Sequence, residues 1–198
     1  MTEPLGSSLC ASAGGGRVGV ILGLAPAFPG ARVEGPAFTV QGAGGDNLAL
    51  HHALARAAPG DVIVLAVGGE TATAHCGEVI VRAAMERGIA GIVVDGAIRD
   101  RAEIAELGFP VFALGTSPRG PGKVGPGALG VPIELRGVTI HPGDLVCADA
   151  DGVAVVAAAD AAEVRAAALE LAERERHILA EIGRGRTTVD IYELKDLT

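Results

Sequence analysis

DVIVLAVGGETATAHCGEVIVRAAMERGIAGIVVDGAIRDRAEIAEL, residues 61–107, sets two short apolar runs in front of two helix-forming segments. Asp61 to Val67 and Ile89 to Asp95 have the β-branched enrichment of strands. Gly77 to Arg87 and Arg99 to Leu107 follow them and carry helix-start signals. If the two strands are neighbours in one sheet, both helix N-termini open on the same edge. Their unpaired backbone N–H groups and positive dipole ends then converge there.

Outward from this stretch, strand character recurs at Val18 to Leu22, Arg32 to Val40, Pro110 to Leu114, Val131 to Leu135, Asp144 to Cys147 and Gly152 to Val156. Helical character recurs at Asp46 to Ala58 and Asp160 to Ile182. Thr116 to Gly130 is rich in glycine and proline and reads as one long loop, a length that is usually functional or mobile. The C-terminal half, with short strands paired around Pro142-Gly143-Asp144, has antiparallel character. The pattern therefore points to a mixed α/β sandwich rather than a uniform doubly wound sheet. Residues 1–16, ending in Gly14-Gly15-Gly16, read as a loosely ordered segment, and residues 17–198 as a single domain.

Hydrophobic residues make up 49% of the chain and charged residues 20%, which supplies a sizeable core and excludes a disordered chain. The net charge of −8 repels phosphate backbones, and with 3% aromatics and no Trp there are few rings to stack on bases, so no nucleic-acid partner is expected. Cys10, Cys76 and Cys147 are odd in number and lack short paired spacing, so neither a disulfide framework nor a Cys-rich zinc site is expected. That usage fits a cytoplasmic protein. The apolar run Val18 to Leu24 is too short to span a bilayer, and no membrane partner is expected.

The shared helix-start edge suits a small anion. Arg99 offers a planar fork for a carboxylate, while Asp100 and Glu78 offer hard oxygen atoms suited to Mg²⁺ or Mn²⁺. Asp100-Arg101-Ala102-Glu103 also has capping-box spacing, however, and Asp160-Ala161-Ala162-Glu163 repeats it away from any site. Local spacing thus admits both a cap and a ligand. On the last helix, Val164, Ala168, Leu171, Ile178, Leu179 and Ile182 share a stripe with Glu175 near its middle. Either Glu175 meets a partner there, or the helix end projects past the body and the carboxylate is wet.

The remaining candidates carry less. His51 and His52 sit mid-helix, and no histidine pair has zinc-ligand spacing. His75-Cys76 could hold a metal, act as an acid, line the site or fill core; Asp46-Asn47 reads as a helix cap. The glycines of 120–130 lack the Gly-Lys-Ser/Thr of a phosphate loop. Of the two lysines, Lys123 and Lys195, neither looks like the desolvated amine a Schiff-base enzyme needs, so a carbonyl-activating enzyme built from this chain would use a metal.

His75-Cys76-Gly77-Glu78, followed at twenty residues' interval by Arg99-Asp100 within Val94-Asp95-Gly96-Ala97-Ile98-Arg99-Asp100, resembles the RraA-like family. Gly45-Asp46-Asn47, Pro59-Gly60-Asp61-Val62, Gly108-Phe109-Pro110-Val111-Phe112 and Pro142-Gly143-Asp144-Leu145-Val146 extend the likeness collinearly over about residues 30 to 192. The resemblance implies a swivelling β/β/α sandwich assembled as trimers or hexamers. Its enzyme branch comprises class II 4-hydroxy-4-methyl-2-oxoglutarate aldolases that also decarboxylate oxaloacetate. By that likeness Asp100 would ligate the metal, Glu78 would reach it through water, and Arg99 would grip the pyruvyl carboxylate. The amides of Gly77, Glu78, Val79 and Ile80 would cradle the same substrate, and Glu175 would come from a neighbouring subunit. The family's other branch consists of regulators that bind and inhibit an RNA-degrading endonuclease and lack the acidic residue found here at Glu78. Glu78 itself stands where many of the aldolases have Asp, and the family's N-terminal helical segment is shortened or replaced by residues 1–16.

The expectation is therefore a Mg²⁺- or Mn²⁺-dependent lyase releasing pyruvate from short 2-oxo acids. The rivals are a non-catalytic protein-binding regulator and a relative recruited to another 2-oxo acid in biosynthesis.

Overall fold

The computed structural model describes residues 4–195. In chain order the elements are α1 (Ser7–Gly14), β1 (Val18–Ile21), β2 (Ala25–Pro26), β3 (Val33–Gln41), α2 (Leu48–Arg56), β4 (Val62–Ala66), β5 (Ala74–Cys76), α3 (Glu78–Glu86), β6 (Gly91–Ile98), α4 (Arg101–Leu107) and β7 (Val111–Thr116). The short strands β8 (Ala128–Leu129), β9 (Ile133–Leu135) and β10 (Val138–Ile140) follow, then β11 (Leu145–Asp149), β12 (Gly152–Val156), α5 (Ala161–Gly183) and α6 (Thr188–Ile191).

The nine-residue strand β3 is the pivot. Its first half, Val33 to Pro36, pairs antiparallel with β11, and its second half, Ala37 to Gln41, pairs parallel with β4. Gly35-Pro36 lies at the change of partner: proline donates no ladder bond, and a Cβ on Gly35 would sit 2.4 Å from the Gly60 carbonyl oxygen. On one side β11, β12 and β1 continue antiparallel; on the other β4, β6 and β7 run parallel, closed by antiparallel β2. This is the swivelling sandwich.

Three apolar layers hold it together. Alternate residues of β4 face opposite ways, so Ile63 and Leu65 pack against α2, α3 and α4, while Val62, Val64 and Ala66 pack against the inward residues of β11 and β12. Every residue of β4 and β6 is consequently buried, as expected of parallel strands covered on both faces. Each such Val or Ile contributes roughly 1.5–3 kcal/mol of transfer free energy. The third layer lies behind β11 and β12, where Leu5, Cys10, Cys147, Ala154 and Ala168 meet.

That third layer corrects the reading of the first sixteen residues as loosely ordered. Ser7–Gly14 is a helix whose Cys10 is fully buried, and Ser7 donates its backbone N–H to Asp149 Oδ2 at 2.9 Å and its hydroxyl to Oδ1 at 2.6 Å. The helix is built largely of the small residues Ser, Ala and Gly, which let it lie close to the sheet. Residues 1–3 of that segment lie outside the described residues. Among the described residues no helix is long and apolar enough to cross a membrane.

Candidate functional site

Strand β6 runs three residues further than its β-branched core predicts, to Ile98, because it exchanges neighbours midway. Val62 to Leu65 of β4 flank Gly91 to Val94; β5 then flanks Ala97 and Ile98. Where β4 departs, the buried Asp95 carboxylate accepts from the amides of Val67 at 2.5 Å and Gly69 at 3.2 Å. Burial pushes that carboxyl up, and these amides work in the opposite direction. Gly96 is required at the crossing, since a Cβ there would lie 2.7 Å from Val67 Cγ2 and 2.8 Å from His75 Nδ1. Strand β5 was not foreseen: Ala-His-Cys lacks β-branched residues, and it is a strand only because β6 offers it an edge.

The pairing continues past both strands. Arg99 donates its backbone N–H to the Cys76 carbonyl at 2.9 Å, which sets Gly77-Glu78, at the start of α3, against Arg99-Asp100, at the start of α4. Asp100 has φ 54° and ψ 42°, the left-handed region that Asp tolerates better than most residues. In that conformation its side chain makes no capping bond to α4. Its Oδ2 instead accepts the Glu78 amide of α3 at 3.0 Å and lies 3.4 Å from Arg99 Nε. The capping-box spacing is therefore not used within α4, and the carboxylate joins the edge of the neighbouring helix. Gly77 makes this possible, because a Cβ would come within 2.5 Å of Asp100 Oδ2 and 2.9 Å of Arg99 Cγ.

Glu78 enters this cluster through its amide. Its carboxylate accepts from Arg82 Nε at 2.7 Å, one turn along α3. Val79, 72% exposed, and buried Ile80 complete the first turn, whose amides have no acceptor within the helix. A cleft of about 150 Å³ opens beside them, lined by Arg99, Gly77, Asn47, His51, His75 and Lys123 among others.

Asn47, His51 and Lys123, read from the sequence as a cap, a mid-helix residue and a loop lysine rather than as site residues, also line this cleft. Asn47 and His51 are four residues apart and so share one face of α2, a spacing that could have marked them. Asn47 donates from Nδ2 to the His75 carbonyl at 3.1 Å, while its Oδ1 and His51 Nε2 are buried without a hydrogen-bond partner among the described residues. The helix-start bond expected of Asp46-Asn47 is made by Asp46, whose Oδ1 accepts the Leu48 amide at 2.8 Å. Asp46 Oδ2 also accepts the Val124 amide at 2.7 Å, strapping the Gly/Pro loop and its Lys123 beside the cleft. Burial raises the Asp46 carboxyl, but the amides of Leu48, Val124 and Gly125 outweigh it and leave it below its ordinary value.

His75 and Cys76 line the cleft in uncharged forms. His75 is fully buried and burial lowers its pKa, partly opposed by Glu70 at 3.5 Å. Burial, reinforced by the Asp100 charge, pushes the Cys76 thiol up to about 12, so it is no thiolate at neutral pH. Lys123 is exposed, consistent with the absence of a desolvated amine. Glu175 is not brought to the site within one chain: only Val164 and Ala168 of the α5 stripe are buried, and Glu175 is exposed on the projecting half of the helix.

The residues present fit a hard divalent cation held with little protein support. Among the described residues no three His, Cys, Asp or Glu side chains form a metal cage. Asp100 keeps its Oδ1 out of any hydrogen bond among these residues, its side chain is 35% exposed, and Gly77 leaves the space beside it that a Cβ would fill. One carboxylate with water and substrate oxygens is how Mg²⁺ is commonly bound.

Comparison with known proteins gives this geometry a lineage. Residues 7–155 match the family described as RraA-like: Aldolase/RraA. A protein of Halalkalibacterium halodurans named "Putative 4-hydroxy-4-methyl-2-oxoglutarate aldolase" is 50% identical over 125 residues, 63% of this chain and 60% of that relative, so the matched chain spans three fifths of the relative's length. In structure, an uncharacterized protein from Pseudomonas syringae pv. tomato superposes with TM-score 0.82 at 31% identity, covering 92% of this chain and 90% of that one. Streptomyces coelicolor RraAS2, titled an unusual member of the RNase ES inhibitor RraA protein family, superposes with TM-score 0.76 at 34% identity, covering 92% of each chain. The family match takes in both helix starts that meet at Gly77 and Asp100, and the chain belongs to the RraA-like family.

Proposed function

We infer that the protein is a divalent-metal-dependent lyase that releases pyruvate from short 2-oxo acids, by retro-aldol cleavage of 4-hydroxy-2-oxo acids and by decarboxylation of oxaloacetate. The observation that carries this reading is the meeting of the Arg99 guanidinium, the Asp100 carboxylate and the first-turn amides of α3 around a glycine. In a chain of net charge −8, Arg99 and Lys123 beside one cleft make a local preference for an anionic substrate.

Asp100 would hold Mg²⁺ or Mn²⁺, with Glu78 reaching it through water; the ion would supply Lewis-acid stabilisation of the negative charge that develops on the 2-keto oxygen. Arg99 binds the pyruvyl carboxylate and fixes the scissile bond against the site. In aldol cleavage the C3–C4 electron pair moves to C3 as enolate, the 4-hydroxyl loses its proton, and C4 becomes a carbonyl. Glu78 is the group to take and return that proton. Its surface ion pair with Arg82 holds it by only about 0.3–0.5 kcal/mol, so its release is a minor barrier. Decarboxylation uses the enolate half of this chemistry alone.

Pure protein incubated with oxaloacetate and Mg²⁺ is expected to release pyruvate above the metal-only rate, and EDTA is expected to abolish it. No protein-dependent release from oxaloacetate or from 4-hydroxy-4-methyl-2-oxoglutarate would remove this lyase reading and leave the protein-binding regulator or a relative recruited to another 2-oxo acid. The likeness to RraAS2 keeps that second reading in view.

A homotrimer or hexamer belongs to the same proposal. Leu179 and Ile182 on the projecting half of α5 are 66% and 40% exposed, an apolar stripe left open among the described residues, and Glu175 lies among them. Sedimentation equilibrium is expected to give three or six times the mass of one chain; a monomer at assay concentration would remove this part of the proposal.

A further inference from the structure

Cys10 and Cys147 are 137 positions apart in sequence, yet their sulfur atoms lie 3.0 Å apart. Both side chains are fully buried, one on the inner face of α1 and the other on β11, in the layer with Leu5, Ala154 and Ala168. The approach does not depend on the sulfurs. Both Ser7 bonds to Asp149 fix the start of α1 two residues beyond Cys147, and the Leu5 amide donates to Glu34 Oε2 at 2.9 Å on adjacent β3. Polar contacts from one end of the helix thus hold Cys10 over Cys147, and closing a disulfide needs the sulfurs to approach by only about 1 Å. The third cysteine, Cys76, belongs to the separate apolar layer under α3.

We propose that Cys10 and Cys147 form a reversible disulfide that latches α1 to the antiparallel sheet. The step is thiol–disulfide exchange with a low-molecular-weight disulfide as oxidant. The Cys10 thiolate attacks one sulfur of the oxidant and expels one thiol, giving a mixed disulfide. The Cys147 thiolate then attacks the Cys10 sulfur and expels the second thiol. Two protein thiols lose two protons and two electrons, and the oxidant becomes two thiols. Contact with the Cys147 thiol pulls the Cys10 thiol below its ordinary value against the effect of burial, which favours Cys10 as the attacking group. Because neither sulfur is exposed, the oxidant reaches them when α1 lifts from the sheet, a local opening of an eight-residue helix. The long loop that the bond closes restricts the unfolded chain strongly.

The test uses the full chain equilibrated with oxidised glutathione, denatured in iodoacetamide and mapped by mass spectrometry. Expected are a Cys10–Cys147 linked peptide with Cys76 alkylated, a rise in melting temperature of about 5–15 °C, and reversal of both by dithiothreitol. Cys10→Ala should lose the linkage and the shift, while Cys76→Ser should keep both. Three alkylated cysteines, a glutathione adduct on Cys10 alone, or a linkage to Cys76 would each overturn the proposal.

Discussion

Arg99→Ala and Asp100→Asn are each expected to reduce pyruvate release by about 10²–10³-fold, with the fold intact. Asp100→Asn is the sharper of the two. Asparagine tolerates the left-handed backbone at φ 54° and retains a side-chain oxygen for the Glu78 amide, so what it removes is the negative charge. Arg99 is 42% exposed on its side chain and its contact with Asp100 is a surface ion pair, so removing it should change stability by less than about 1 kcal/mol. The pair of measurements is kcat with oxaloacetate and the urea midpoint of each variant. Unchanged turnover in both would remove the proposed site. Lost turnover with an equally lost fold would instead mark Asp100 as a structural link between α3 and α4. A rise in KM for Arg99→Ala larger than the fall in kcat would place its main role in binding the carboxylate rather than in the transition state.

Gly77→Ala is expected to cost about 10–100-fold in turnover through the space that one methyl group takes. The backbone there is extended, at φ −157° and ψ −170°, so alanine brings no conformational penalty. The effect is one of space: a Cβ would stand 2.5 Å from Asp100 Oδ2 and 3.1 Å from Arg99 Nε. Asp100 Oδ2 ends a short side chain, and Arg99 Cγ, at 2.9 Å, and Nε belong to a long flexible one, so the side chains can yield where the site cannot. Circular dichroism and the urea midpoint should therefore stay near those of the parent while activity falls. Full activity in Gly77→Ala would mean that the Asp100 position drawn here is not the working one.

The parallel half of the fold is legible because β4 (Val62–Ala66) and the Ile92-Val93-Val94 start of β6 are short apolar runs rich in Val and Ile and buried on both faces, and such runs have few alternatives. Helix α1 was not legible: an eight-residue segment with three serines and a closing glycine carries little helical signal, and it is ordered by Asp149 and Cys147, far along the chain. Strand β5 is similar, defined by a neighbour rather than by its own residues. At the site, residue types named Arg99, Asp100 and Glu78 as a group, yet local spacing also fitted Asp100 as a helix cap. Asn47, His51 and Lys123 look ordinary until α2 and the Gly/Pro loop are folded against α3.

What the chain's order of residues determined by itself was the layered α/β plan, the family and the chemical types available for a metal and a carboxylate, because these depend on local periodicity and on motifs contained within single segments. What only the tertiary structure decided was direction. The left-handed turn at Asp100 sends its carboxylate to the amide of Glu78, twenty-two residues earlier, and the exchange of β4 for β5 along β6 brings those two positions together. A side chain's partner across a sheet edge is set by register and by the space left at Gly77, and neither quantity is written in any one segment of the sequence.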